Sequence, residues 1–150
     1  MKSQEVQNAI RWIDALDPMN GFKKTTSALG HRINAGNDQK SDWSYCCFGV
    51  GCRIMNYETV DFERSYDHRL ESDMGLNTMH GLFMDPITRL GHFSEFSNSY
   101  NEPIRYLTDI NDVVYKYDMD FKNVRNFILE NLKYIFVPSV AKELEIHYSK

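Results

Sequence analysis

Almost nothing in this sequence marks a known chemistry. It holds no Walker phosphate loop, dinucleotide fingerprint, G-x-S-x-G elbow, H-E-x-x-H helix or kinase signature. Gly49-x-Gly51 lacks the following lysine and the preceding strand of a phosphate loop. Cysteine is scarce: three among 150 residues, an odd number with two of them adjacent. Neighbouring cysteines rarely bridge each other, so the set does not suit a secreted disulfide framework. Long hydrophobic runs are missing, and no window approaches the ~20 apolar residues of a membrane span. The first residues, Met1-Lys2-Ser3-Gln4-Glu5, are polar and lack the apolar stretch of a secretion signal. There is no run of Lys or Arg, and 17 basic residues against 21 acidic ones leave a net charge of −4. Binding to nucleic acid depends on neutralising phosphates, so it is not expected of such a chain. Arg11, Lys23, Lys24, Arg32 and Lys40 are loosely grouped, and an ordinary solvated surface accounts for them. Internal repeats, low-complexity tracts and dividing linkers are absent too. Together these absences lead us to expect one domain over residues 1–150, in a reducing cytoplasm, with no membrane segment, metal or cofactor.

What is present suits a packed core. Hydrophobic residues make up 42% of the chain, with nine Phe, nine Tyr and two Trp. A chain of this length buries about two-thirds of its unfolded surface, and large aromatics supply much of that area.

Residues 3–16 read as an amphipathic helix, with Val6, Ile10, Ile13 and Leu16 at helical spacing, Trp12 beside them and Ser3 as N-cap. Asp17-Pro18-Met19-Asn20-Gly21 stops it. Residues 22–33 suit a short strand or hairpin with Gly30 at a bend, and 34–42 a polar loop. The stretch from Trp43 to Met55 reads as a helix capped by Asp42 or Ser44, with a buried strand as the competing reading. Two glycines in one helix cost about 1 kcal/mol each relative to alanine, which points to a central helix with another backbone close by.

Further on, a short helix over about 66–74 places Tyr66, Leu70 and Met74 on one face, ended by Gly75. Short strands are expected near 81–84 and 89–93, interrupted by Pro86 and Pro103, with a polar loop over 94–102. A short helix within 104–114 carries Leu107 and Ile110. Residues 120–136 form a helix with Asp120 as N-cap and Phe121, Val124, Phe127, Ile128 and Ile135 as its apolar stripe. Pro138 breaks that pattern, and Ser139 caps a last helix over 139–147. The expected fold class is α+β: a compact domain with helices predominant and a few short strands.

Three segments carry a resemblance. Trp12 lies in an N-terminal helix. The run Tyr45-Cys46-Cys47-Phe48-Gly49-Val50-Gly51-Cys52 follows. Leu107-Thr108-Asp109-Ile110-Asn111-Asp112 then precedes Phe121, Val124 and Ile128. The pattern resembles that of short phage-encoded early proteins of the T4-like phages, which combine an N-terminal helix, Cys-Cys-Leu-Gly-Val-Leu-Cys, Leu-x-x-Leu-Asn-Asp and a helix opening with Phe. About 20 positions carry the likeness, and Phe48 and Gly51 depart from it where leucine is usual. The resemblance implies an origin in a phage and a place of action in the host cytoplasm. It does not imply a reaction.

Candidate chemistry starts with the thiols. A cysteine at a helix N-terminus has its thiolate stabilised by unpaired amides and the dipole, and Cys46 and Cys47 stand there. With His92 or His80 as base, and Asn98, Asn101 or Asn111 to orient it, they would make a cysteine hydrolase or transferase. The ordinary alternative is that they are small apolar residues of the core, which Phe48, Val50, Ile54 and Met55 favour. Cys47 and Cys52 are about 500° apart around a helix, which suits no zinc site. Asp109, Asn111 and Asp112 offer oxygen ligands, but lack the EF-hand spacing and suit turn or capping bonds. Phe93, Phe96 and Tyr100 are candidate anchors for a partner, unless their loop folds back over the core.

The leading expectation is a phage accessory protein that binds a host or phage macromolecule, a protein being the partner favoured. The alternatives are the cysteine-dependent enzyme and a nucleotide or small-molecule binder with its cleft beside the Cys-Cys helix.

Overall fold

The computed structural model describes residues 2–33, 43–64, 66–77, 107 and 110–149. The expected loop over 34–42, the strands near 81–84 and 89–93 and the loop over 94–102 lie outside the described residues.

The fold is α+β with helices predominating. Helix α1 runs Gln4–Ala15, and the Ser3 hydroxyl accepts a hydrogen bond from the Val6 amide at 3.3 Å. Its inner face buries Val6, Ala9, Trp12 and Ile13. A 3-10 turn over Pro18–Asn20 follows, capped by Asp17 and closed by Gly21 at φ 75°. The stop expected at this proline is therefore a change of helix type.

Three short strands come next: β1 Lys23–Lys24, β2 Gly30–Arg32 and β3 Trp43–Tyr45. The sheet order is β1-β3-β2, with β1 parallel and β2 antiparallel to the central strand. Gly30 faces Tyr45 in this register. Gly30 is thus a strand residue rather than a bend, packed beneath Phe62 and Trp43, which an added Cβ would meet at 3.0 and 3.2 Å.

Helix α2 occupies Cys47–Met55 and ends on Asn56 at φ 56°. The stretch from Trp43 to Met55 is thus both of the elements expected, a strand and then a helix. Neither Asp42 nor Ser44 caps the helix. Ser44 lies inside β3, and Cys46 holds the N-cap position. Helix α3, Arg69–Met74, carries buried Leu70 and Met74 and ends at Gly75 with φ 68°. Tyr66 precedes this helix, and its ring packs edge-on against Phe48 at 4.9 Å.

The C-terminal part begins with a π-helical turn at Ile110–Val114. Helix α4 spans Lys122–Glu130, α5 Leu132–Ile135 and α6 Pro138–Tyr148. The stripe Phe121, Val124, Phe127, Ile128 and Ile135 is buried as expected. The single helix expected there is interrupted at Asn131 (φ −130°), whose side-chain amide donates to the Phe127 carbonyl at 2.9 Å. An asparagine bonding back to the preceding turn offers the backbone an alternative to the helix. Asp120 accepts from the Lys122 amide at 3.0 Å, one place earlier than a helix starting at Lys122 would use as its cap. Pro138 opens the last helix rather than only breaking the one before, with Val137 at the N-cap instead of Ser139.

Helix α1 packs against α2, α3 and α6, and α2 also meets β3. Trp12 lies at the centre, stacked 5.9 Å from Phe48 and edge-on to Phe136 at 6.1 Å. Burying a large apolar side chain contributes about 1.5–3 kcal/mol, so this aromatic cluster is a major source of stability. A bridge between Leu76 and Phe136 ties the end of α3 to the junction of α5 and α6.

Candidate functional site

Strand β3 delivers Tyr45 and Cys46 to the middle of the molecule, and the chain turns there into α2. Cys46 is extended, with φ −81° and ψ 173°, and its Sγ accepts from the Gly49 amide at 3.4 Å. That is the bond a serine or aspartate usually makes at an N-cap. The Cys46 amide donates to the Leu29 carbonyl at 3.1 Å. The next amide, of Cys47, donates to Asn111 Oδ1 at 3.2 Å. The Cys47 carbonyl accepts from the Trp12 indole at 2.8 Å. Asn111 is fully buried, and its other amide atom donates to the Thr25 carbonyl at 3.0 Å. One asparagine therefore joins the N-terminus of α2 to the end of β1.

The approach of backbones here is closer than the sequence suggested. A Cβ on Gly49 would lie 1.7 Å from the Leu29 carbonyl oxygen, so only glycine fits. Gly51 differs: its added Cβ would meet the tips of Leu70, Met74 and Trp12 at 3.3–3.4 Å.

All three cysteines are buried and outside any disulfide, Cys46 being 5% exposed and Cys47 fully enclosed. Burial, with the Asp67 carboxylate next in weight, pushes the Cys52 thiol up to about 12. It keeps its proton at neutral pH. Asn111, a candidate to orient a catalytic histidine or hold a cation, is engaged with two backbone groups instead. His80 and His92 lie outside the described residues, as do Asn98, Asn101, Phe93, Phe96, Tyr100 and Asp109. Among the described residues no three His, Cys, Asp or Glu side chains are grouped to hold a metal ion.

Around the far end of α2 the surface is concave. A cleft of about 300 Å³ opens between the β2–β3 pair, the last turn of α2 and the segment 56–62. Arg32, Trp43, Arg53, Asn56, Glu58 and Phe62 are among its walls. Trp43 and Phe62 have ring centroids 4.7 Å apart, and the Arg32 guanidinium lies 5.1 Å from the Trp43 ring centre. Tyr57 is fixed beside them: its hydroxyl donates to Asp73 at 2.5 Å, and Arg69 covers its ring at 4.1 Å. Burial, then the bond to Asp73, raises the Tyr57 phenol above its ordinary value. The sequence offers a cleft beside this helix only as part of one alternative function and does not locate it. The signal it missed was Trp43, placed where a polar loop meets an apolar segment and so set at the rim of the core.

Two other concavities differ in kind. One of about 330 Å³ is lined by Asp61, Arg64, Asp67, His68 and Arg69. Its charges pair among themselves, Arg64 with Asp61 at 3.6 Å and Arg69 with Asp67 at 2.6 Å. The bond to Arg69 is the main reason the Asp67 carboxyl sits below its ordinary range. The other, about 390 Å³, lies beside Arg11, Asp14 and Asn20, which bond to Ile54, to Tyr148 and to the carbonyl of Asp14 respectively. Among the described residues, no helix is long and apolar enough to cross a membrane.

No family model matches the chain, and no curated protein or solved structure is significantly similar to it.

Proposed function

We propose that this protein works by binding, as a phage accessory protein that engages a host or phage macromolecule in the host cytoplasm, rather than by thiol chemistry. The observation that carries this reading is the state of the Cys-Cys segment. Cys46 and Cys47 are buried; the Cys46 thiol and amide bond to Gly49 and Leu29, and the Cys47 amide and carbonyl to Asn111 and Trp12. A catalytic thiol needs partial exposure and an electropositive setting to form its thiolate. The site most suggestive of catalysis in the sequence thus has a structural use that accounts for its residues. The chain's acidity and abundant aromatics favour a protein partner over nucleic acid.

Thiol titration with a small alkylating agent separates binding from catalysis. The folded protein is expected to stay unreactive at neutral pH and to yield three thiols once unfolded. A thiol reacting at once in the folded state, with a pKa well below about 8.5, would return the cysteine hydrolase or transferase to first place. For the partner, affinity capture from infected cells is expected to recover one protein in near-stoichiometric amount, lost on Phe93→Ala or Phe96→Ala. Recovery of nothing above background counts against the reading.

A further inference from the structure

We propose that Asn20–Gly21 is a self-modification site that the fold holds shut. Native contacts keep the Asn20 side chain from cyclising, opening of the turn releases it, and the product cannot restore the turn. The proposal is independent of the macromolecular partner.

The chemistry resides in the pair itself, the single Asn-Gly step of the sequence. The Gly21 amide nitrogen attacks Asn20 Cγ. A C–N bond forms, the Cγ–Nδ2 bond breaks, and ammonia leaves with the proton given up by the Gly21 amide. Water then adds to one of the two carbonyls of the resulting succinimide, and the ring opens to aspartate or to isoaspartate. A neutral amide becomes a carboxylate, and water is the only co-reactant. In isoaspartate the main chain runs through Cβ and gains one carbon. Glycine favours the attack because no side chain shields the nitrogen. Asn20 and Gly21 are both exposed, so water reaches them.

The native turn opposes the first step at three points. Asn20 is the last residue of the 3-10 turn Pro18–Asn20. Ring closure brings Cβ and the Gly21 nitrogen into line across the Cα–C bond, roughly a quarter-turn from the ψ of about −20 to −30° that a 3-10 turn imposes. The attacking group is engaged, since the Gly21 amide donates to the Pro18 carbonyl at 3.1 Å. The leaving group is engaged too, since Asn20 Nδ2 donates to the Asp14 carbonyl at 2.7 Å, at the end of α1. Asp17 fixes the start of the turn by accepting from the Met19 amide at 3.0 Å. Gly21 adopts φ 75°, and an added Cβ would have nothing within 4 Å. Conformation rather than space therefore calls for glycine, and the residue that closes the turn is the one that makes Asn20 reactive.

The product fits this turn badly. A carboxylate at position 20 has no hydrogen to donate, so it would set acceptor against acceptor at the Asp14 carbonyl. It would also stand at the negative end of the α1 dipole.

The full chain is incubated at neutral pH, folded or in guanidinium chloride. Conversion at Asn20 is followed by mass spectrometry of its proteolytic peptide, with isoaspartate identified by fragmentation. The folded protein is expected to convert at least about tenfold more slowly than the unfolded chain, because reaction waits on local opening. Equal rates in the two states overturn the proposal, as does an unfolded chain in which Asn20 is not converted. Asp17→Ala removes the cap and is expected to speed conversion of the folded protein at least about threefold. Asp17→Ser, which can still cap, is expected to keep the slow rate. An unchanged rate in Asp17→Ala contradicts the gate. Should Asp17→Ala unfold, fast conversion in a folded Asp17→Ser contradicts it equally. Asn20→Asp is expected to lower the melting temperature by about 2–4 °C. No lowering overturns the claim that the product fails to restore the turn.

Discussion

The two ends of α2 follow opposite rules although they are eight residues apart. At the N-terminal end the Cys46 and Cys47 amides, the Cys47 carbonyl and the Cys46 thiol are all hydrogen-bonded, and no room is left even for a methyl group on Gly49. At the C-terminal end Arg53 and Asn56 face a concave surface large enough for a small molecule. A single short helix thus acts as a packing element at one end and as the wall of a cleft at the other. The lesson concerns where chemistry is sought. The cysteines attract attention because they are rare and reactive as a class, but all three are buried. The arginine and tryptophan at the other end look ordinary in sequence and line a concave surface.

The strongest way to break this contrast is to fill the tight end. Gly49→Ala places a methyl group on the Leu29 backbone and is expected to cost at least about 3 kcal/mol, measured by denaturant unfolding. Gly51→Ala, which meets only side-chain tips, is expected to stay within about 1 kcal/mol of the wild type, since better helix propensity offsets the repacking. If both substitutions behave alike, the backbone contact is not what holds this end.

Removing the link between segments comes next. Asn111→Ala strands the buried Cys47 amide and frees the Thr25 carbonyl, with an expected loss of about 2–3 kcal/mol. Hydrogen exchange at the first turn of α2 is expected to speed up more than exchange in α6. Uniform acceleration would show that Asn111 acts on global stability alone.

Alkaline pH sharpens the comparison further. Cys52 ionises near its ordinary value of 9.0 when unfolded and at about 12 when folded. The folded state therefore holds the proton more tightly, and stability falls as pH rises from about 9 to about 12. Tyr57 and Tyr148, raised by burial and by their bonds to Asp73 and Asp14, act in the same direction at higher pH. Measured unfolding free energy is expected to be level through neutral pH and to decline above about 9, less steeply in Cys52→Ala. The smallest effect is expected at the open end. Glu58→Ala, an exposed position on the cleft, should change stability by no more than about 0.5 kcal/mol.

Helix α1 was legible almost to the residue, because its periodicity, its Ser3 cap and its Pro18 stop all lie within one segment. Leu70 and Met74 with Gly75, and the stripe from Phe121 to Ile135, were legible for the same reason. The segment 43–55 was half legible. Its closely packed helix was inferred from two glycines, but three residues of strand at its start carry too little pattern to separate from a helix. Asn131 could not be read as a helix break, since the bond that makes it one depends on the helix already being there. For the candidate site, the sequence placed the cysteines near a helix start but could not tell exposed from buried.

What the sequence alone determined is the set of apolar faces, the glycines and prolines that bound them, and an α+β class with helices predominant. The tertiary structure alone decided that Cys46 serves as a cap and that Asn111 satisfies an amide 64 residues away. It also decided that Trp43 reaches the rim of a cleft. Periodicity and capping are local interactions, recorded in neighbouring residues. Burial and long-range hydrogen bonding depend on which surfaces meet, and that is settled only when the whole chain has folded.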